Sequence, residues 1–559
     1  MQRKDIEKMA AVAAFARSGD FLKAEQALRT ILRKRPSNTE ALTVLATLHA
    51  QKHQWDAALP LFERVVKIRP DDAEAHFRLG VTQSNLGRSE DARAAYRAAL
   101  VLNPRHLSAI TNLGGELLAH KCWAEALALY TEAAARMPAE ADAFAANLGI
   151  AQLEGGHLDD AIETLSRVIQ SAPENSEAYS NLGMALQRAG RLQQAEETLR
   201  RALTISPNSG SIHNNLGLTL LEMGRMAEAI AAFESAVSLS EDVSFRWNLG
   251  MALLLQGDFA RGWPQFRYRE DLRRAPGRPL ALPFWQGEPL AGKKIVVWSE
   301  QGLGDTLQYA RYLPELIKSG AQVTFECPKP LVRLFTLAFP MLTFAETGDE
   351  YSDHDFQCSL IGLAGRFGIE TGSIVNFTPY LTVDNALALN WKQKLAEPAA
   401  FKIGICWQGS PKYSGDKARS IPLRNFEPLL SLPGVRVFSL QKPADLDRLV
   451  PGPLDDRIET FGPDFDSAGA FVDTAAVMES LDLVISCDSA IAHLAGALAR
   501  PVIVALRRMP DWRWQLGRND SPWYPSARLF RQEREGDWEG VFARIAEEVN
   551  RRIGLRKPA

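Results

Sequence analysis

Cysteine is scarce in this chain: Cys122, Cys327, Cys358, Cys406 and Cys487 are the only five in 559 residues, and none forms a Cys-x-x-Cys pair. An odd and scattered set argues against a disulfide scaffold and against a cysteine zinc site. Long apolar runs are also missing, since no stretch approaches the roughly 18 residues that would cross a bilayer. An excess of either charge is lacking too: 64 basic residues stand against 67 acidic ones, for a net charge of -3. Nucleic acid is therefore not the expected partner. The opening MQRKDIEKMA mixes charges with apolar residues and leads into a helical pattern, unlike a signal peptide or an anchor. A cytoplasmic protein with no membrane span is expected. What is present is 46% apolar and 23% charged residues, an ordinary globular composition, over a length that calls for roughly three to four domain-sized units.

The first half repeats itself. A small residue is followed 12 positions later by Ala, 16 later by a large apolar residue, and then by Pro. The clearest copy is Leu79, Gly80, Ala92, Tyr96, Ala99, Pro104; it recurs from Leu113, Leu148, Leu182 and Leu216, and weaker copies are phased on Val12 and Ala46. Seven repeats of 33 to 35 residues result before Leu249 and Gly250 open an atypical eighth. Small residues let two helices of a hairpin approach, large ones fill the space between hairpins, and Pro ends the second helix. The pattern resembles the tetratricopeptide repeat, over residues 1–262, and predicts an α-solenoid.

In five consecutive repeats an Asn stands two positions before the Gly: Asn112, Asn147, Asn181, Asn215 and Asn248. A row of carboxamides, each donor and acceptor, suits gripping the main chain of an extended protein or peptide. Asn suiting an exposed helix position is the alternative. The row resembles the asparagine ladder of O-linked N-acetylglucosamine transferase, which implies a polypeptide acceptor.

After a linker at 263–292 the period changes. KKIVVWSE, AQVTFEC and MLTFAE form one β-rich series, and FKIGICWQ, VRVFSLQ, LDLVISCD and PVIVAL form a second. Strands alternating with helices predict parallel, helix-covered sheets. Two series, 293–395 and 396–559, predict two Rossmann-like halves facing a cleft, the GT-B layout.

Three motifs sit where such sheets bind ligands. Gln301-Gly302-Leu303-Gly304-Asp305-Thr306 follows the first strand, and Gly304 would admit a ligand while Asp305 faces the cleft as a general base, or is simply an N-cap. Asp488-Ser489-Ala490-Ile491-Ala492-His493 follows a strand of the second half; Ser489 would be the N-cap, the amides of Ser489 to Ala492 would meet a phosphate, and His493 would add a donor. Between them the loop 408–420 offers Lys412, Lys417 and Arg419 to a leaving diphosphate, or to solvent. Asp-x-Asp occurs at Asp353/Asp355, Asp445/Asp447 and Asp464/Asp466, a spacing that arises readily in acidic loops, so no metal site is expected.

Together the Gly-x-Gly-Asp turn, the Gly-Ser loop leading to Ser420-Ile421-Pro422-Leu423, and Asp-Ser-x-x-x-His-x-Ala-Gly resemble family 9 glycosyltransferases, the heptosyltransferase group, over roughly Lys293 to Ile553. The resemblance implies a GT-B fold, a nucleotide-sugar co-substrate held by the second half, no cofactor or obligatory metal, catalysis by Asp305, and donor contacts from Asp488, Ser489, Ala490 and His493. Two departures stand out: Ala490 replaces the usual Gly, and the helical array is foreign to that group. Pro510-Asp511-Trp512-Arg513-Trp514 and Ser521-Pro522-Trp523-Tyr524-Pro525 resemble segments of bacterial proteins that fuse such repeats to a family 9-like domain; their aromatics would stack on a ligand or pack against the cleft. A transferase for protein acceptors is the expected function. The alternatives are a non-catalytic scaffold and a transferase for glycan or lipopolysaccharide.

Overall fold

The computed structural model describes residues 9–15, 18, 20–269, 282–346, 349, 351–367, 379–397, 400–409, 416–441 and 456–556. Lys412 lies outside them, as does the side chain of Lys417. The chain divides into two compact units, 1–219 and 220–559.

Helical hairpins fill the first unit. After a first pair ending in Phe21–Lys34 come Thr39–Gln51 with Trp55–Ile68, Ala73–Asn85 with Ser89–Leu102, Leu107–Ala119 with Trp123–Arg136, Ala145–Glu154 with Leu158–Ser171, and Ser176–Arg188 with Leu192–Ile205. The spacing of 16 joins a glycine to the side chain lying on it: a Cβ on Gly149 would stand 2.6 Å from Leu165 Cγ, and one on Gly114 would collide with the Tyr130 ring. The alanines 12 residues on, Ala92, Ala126, Ala161 and Ala195, are fully buried at the same crossings. Proline ends the second helices because it drives the preceding residue out of helical conformation. Asn103, Met137, Ala172 and Ser206 accordingly have φ of -138°, -135°, -132° and -130°. The longest step, Leu113 to Leu148, is taken up by a 3-10 turn at Pro138–Ala143.

The next hairpin, Gly210–Glu222 with Met226–Leu239, runs across the boundary between the units, and the last pairs Val243–Gln256 with the short Phe259–Phe266. That short helix belongs to the second unit for a physical reason: Trp263 and Phe266 pack on Trp512 with ring centroids 5.5 and 5.3 Å apart, and Phe259 packs on Trp523 at 6.2 Å. Aromatic side chains bury large apolar areas, so such contacts weigh heavily in packing.

Two wholly parallel sheets follow in this unit. The first is built from β1 (Lys294–Trp298), β2 (Gln322–Glu326), β3 (Thr343–Ala345) and β4 (Phe356–Ser359), in the order β3-β2-β1-β4. The second contains β5 (Phe401–Cys406), β6 (Val435–Ser439), β7 (Ile458–Glu459), β8 (Leu483–Cys487), β9 (Val502–Leu506) and β10 (Ala527–Arg531), in the order β10-β9-β8-β5-β6-β7. Each chain path reverses direction beside its first strand, between β1 and β4 and between β5 and β8. Ligands of open α/β sheets lie at such reversals, outside the carboxyl ends of the strands. In the first sheet this place is occupied by protein: Arg269 Nη2 donates to Glu300 Oε1 at 2.6 Å and to Ser359 Oγ at 3.0 Å, and the Arg269 and Glu300 side chains are 3% and 1% exposed. The C-terminal helix Trp538–Arg556 covers the outer face of the second sheet, with Phe542 against Phe426 at 4.5 Å.

Candidate active site

The strand β1 ends in a tight turn into the helix Leu303–Tyr309. Gln301 holds a φ of +63°, a left-handed conformation unusual for a residue with a side chain. Gly302, not Asp305, is the N-cap; Asp305 is the third helical residue and reaches back, its Oδ2 accepting the Gly302 amide at 2.9 Å. Its Oδ1 pairs with Arg513 Nη2, so both carboxylate oxygens are engaged. Burial raises the Asp305 carboxyl above its ordinary range, while the Arg513 guanidinium and the Gly302 amide oppose that rise.

On the second sheet, β8 ends at Cys487 and Ser489 caps the helix Ala490–Ala497, its Oγ accepting the Ile491 amide at 3.3 Å. The Ala492 amide donates to Ser489 O at 3.1 Å. Two of the four amides expected to meet a phosphate, those of Ile491 and Ala492, are thus used within the turn. Burial pushes the Asp488 carboxyl up to about 6, with the Asp511 carboxylate adding to the effect.

His493 is buried and its pKa is held well below the ordinary value, first by burial and then by the charges of Arg513, Arg311 and Arg419. It is therefore a neutral imidazole. Its Nδ1 lies 3.0 Å from the Tyr524 hydroxyl, and its ring stacks on Trp514 with centroids 5.3 Å apart. The Tyr524 ring in turn lies directly on Gly496, where a Cβ would collide with it. Burial keeps the Tyr524 phenol protonated.

The two motifs touch. A Cβ on Gly304 would stand 2.9 Å from His493 Cδ2 and 3.3 Å from Ala490 Cα, so only glycine lets the Leu303–Tyr309 helix lie on the start of Ala490–Ala497. Arg419 approaches from the β5 side; its Nε donates to Asp416 Oδ1 at 3.0 Å, and its charge is felt at Asp488. Arg311, fully buried, donates to Trp523 O at 2.7 Å and lies 4.7 Å from the centre of the Tyr524 ring.

Asp305, Gly304, Asp488, Ser489, Ala490, His493 and Arg419 are thus gathered in one region. Arg513, Asp511, Tyr524 and Arg311 belong to it as well, and sequence alone did not single them out. The aromatic tail was the only signal for Arg513, Asp511 and Tyr524, and nothing signalled Arg311; Trp512, Trp514, Trp523 and Tyr524 pack in the core with at most 2% exposure. Among the described residues no group of three His, Cys, Asp or Glu is placed to hold a metal. Of the Asp-x-Asp pairs, Asp353 and Asp355 bind Lys294 and Lys293, and Asp466 caps the helix Val472–Met478 through Asp473 and Thr474. Asp445 and Asp447 lie outside the described residues.

The asparagines stand on the first helices of five successive hairpins. Asn181 is buried and Asn112, Asn147, Asn215 and Asn248 are half-buried, so none sits at an exposed position. Asn215 Nδ2 donates to Ser180 Oγ of the preceding repeat at 3.0 Å, and Asn112 Nδ2 to the Tyr96 hydroxyl at 3.5 Å. Packing therefore uses part of the row.

A helical-repeat array joined to a parallel-sheet α/β region is the class defined by these features. Tetratricopeptide repeat families match residues 9–73, 43–106, 77–146, 117–186, 174–242 and 243–262. Glycosyltransferase family 9 (heptosyltransferase) matches residues 470–536, a stretch that holds Asp488 to His493, Asp511 to Trp514 and Tyr524 but not Asp305. The chain is similar to Protein FlbA of Caulobacter vibrioides, 28% identical over 318 residues, which are 53% of each protein. It is also similar to the peroxisomal targeting signal receptor of Candida albicans, 38% identical over 82 residues, 15% of this chain and 14% of the receptor. The matched stretch thus spans about half the length of the first relative and far less of the second. Among solved structures, a tetratricopeptide repeat protein from Parabacteroides merdae covers 44% of this chain and 98% of its own, at 18% identity and a TM-score of 0.35. No helix among the described residues is long and apolar enough to cross a membrane.

Proposed function

We propose that the chain is a cytoplasmic, metal-independent inverting glycosyltransferase of the GT-B type that modifies a protein recruited by its repeats. The observation that carries this is the direct packing of the Gly304–Asp305 turn on the Asp488–His493 turn, which brings a carboxylate of one sheet to the carboxyl edge of the other. The donor diphosphate would lie at the start of the Ala490–Ala497 helix, held by Ser489, Ala490, His493 and Arg419, with Lys412 and Lys417 as further cations. In the tautomer with Tyr524 donating to Nδ1, neutral His493 would carry its proton on Nε2 and offer it as a donor. Asp305 would take the proton of the acceptor hydroxyl as that oxygen bonds to the anomeric carbon; the bond from that carbon to the phosphate oxygen breaks, and its electron pair leaves with the diphosphate. A carboxylate raised by burial is a better base for this step than an ordinary one.

For the acceptor, the support is the row Asn112, Asn147, Asn181, Asn215 and Asn248, half-buried except for the buried Asn181, together with the likeness to a receptor named for a targeting signal. One observation favours a non-catalytic scaffold: Asp305 has both oxygens engaged. A panel of nucleotide sugars separates the two. The full chain should hydrolyse at least one donor slowly, and Asp305→Ala should abolish this; a chain that neither binds nor turns over any donor is the scaffold.

A further inference from the structure

Arg513 is buried and shared. Its Nη1 donates to Asp511 Oδ1 at 2.7 Å, within its own 3-10 turn Trp512–Trp514, while its Nη2 reaches Gln301 Oε1 at 3.2 Å and Asp305 Oδ1. Its Nε is buried and has no hydrogen-bond partner among the described residues. Two contacts and the chain itself place this guanidinium: Trp514, the next residue, stacks on His493; His493 lies on Gly304; and Gly304 precedes Asp305. Asp305, Arg513 and His493 therefore converge on one point. The tether to Asp511 travels with the second sheet, whereas Asp305 and Gln301 belong to the turn after β1.

We propose that Arg513 is shared between Asp305 and the diphosphate of the donor: without donor it holds the carboxylate, and donor binding draws the guanidinium away and frees Asp305 to accept the acceptor proton. This rests on the glycosyltransferase function above. A guanidinium fork binds phosphate oxygens in the same bidentate manner as a carboxylate, so the two compete for one cation. Asp511 keeps Nη1 anchored while Nη2 changes partner, and the Nε proton adds a second donor for phosphate. Proton abstraction is then available only on the donor complex.

Reciprocity of coupled binding supplies the test: if the diphosphate weakens the hold of Arg513 on Asp305, then Asp305 must weaken binding of the diphosphate by the same factor. Affinity of the full chain for ADP, CDP, GDP, UDP and dTDP is measured by titration calorimetry. Asp305→Asn should bind the preferred nucleotide at least about fivefold more tightly than the unaltered chain. Arg513→Lys, which keeps the charge and loses the fork, should bind it more weakly, and adding Asp305→Asn to Arg513→Lys should give no gain. Equal or weaker binding by Asp305→Asn overturns the proposal, as does a gain that persists in the Lys background, which would be plain charge repulsion. If no nucleoside diphosphate binds the unaltered chain, the transferase function fails with it; if one binds and Asp305→Asn is no tighter, only the sharing of Arg513 fails.

Discussion

At the scale of the residue, Asp488 has the most direct consequence for pH. Its carboxyl titrates near about 6 in the fold against an ordinary value of 3.8. A carboxyl whose folded value is raised holds its proton more tightly folded than unfolded. Its contribution to stability is therefore fully present below about 4 and is lost as the pH rises through about 6. The same ionisation places a negative charge beside the proposed diphosphate. Affinity for an intact nucleotide sugar, whose diphosphate does not titrate in this range, should fall as pH rises from 5 to 7 by about tenfold, the equivalent of about 1.4 kcal/mol. Asp488→Asn should give a flat profile, measured by calorimetry; a slope that survives this substitution would assign the titration to another group. His493, held neutral by burial and by Arg513, Arg311 and Arg419, has no part in it.

At the scale of the element, the hairpins follow from a few spacings, and one turn position departs from the rule. Where the first helix gives way to the second in each hairpin from Thr39 onward, the chain passes through a positive φ, taken by Gly87, Gly156, Gly190, Gly224 and Gly257, but by His53 at +57° and Lys121 at +59° in two repeats. A left-handed conformation costs a residue with a Cβ about 1 kcal/mol relative to glycine. Lys121→Gly should therefore raise stability by up to about 1 kcal/mol, less what glycine loses in the unfolded chain. Urea denaturation measures it; a loss of stability would mean that the Lys121 side chain contributes more than its backbone costs. The strands were less uniformly legible. Those rich in β-branched residues, such as KIVVW and LVISC, stand out as buried parallel strands. FQCS, IE and ARLFR, which form β4, β7 and β10, do not, because they are short or carry polar and charged residues in positions that only their neighbours in the sheet explain.

At the scale of the whole molecule, two activities are proposed for two sets of residues, and they should separate. Asn147, Asn181 and Asn215 lie within residues 1–219, and Asp305, Asp488 and His493 within 220–559. Replacing the three asparagines by Ala should lower modification of a protein acceptor by about tenfold or more, at about 0.5–1.5 kcal/mol for each lost hydrogen bond. Donor hydrolysis should persist. Because Asn215 also donates to Ser180 of the preceding repeat, thermal unfolding of the variant is followed alongside. Equal modification by the variant would remove the acceptor role from the row.

The repeat array, its phase, the change to parallel sheets after residue 293 and the two turns at strand ends were determined by local spacing, because hairpin packing and strand burial impose short periods that one stretch of chain displays by itself. The partners in the site were decided by tertiary structure alone. Asp305 meets Arg513 across 208 positions and His493 meets Tyr524 across 31. Neither pair leaves a periodic trace: the first exists only once the two sheets have formed and packed, and the second only once distant segments of the second sheet have come together. The engagement of Asp305, the neutrality of His493 and the raised Asp488 all come from burial and charge at that meeting.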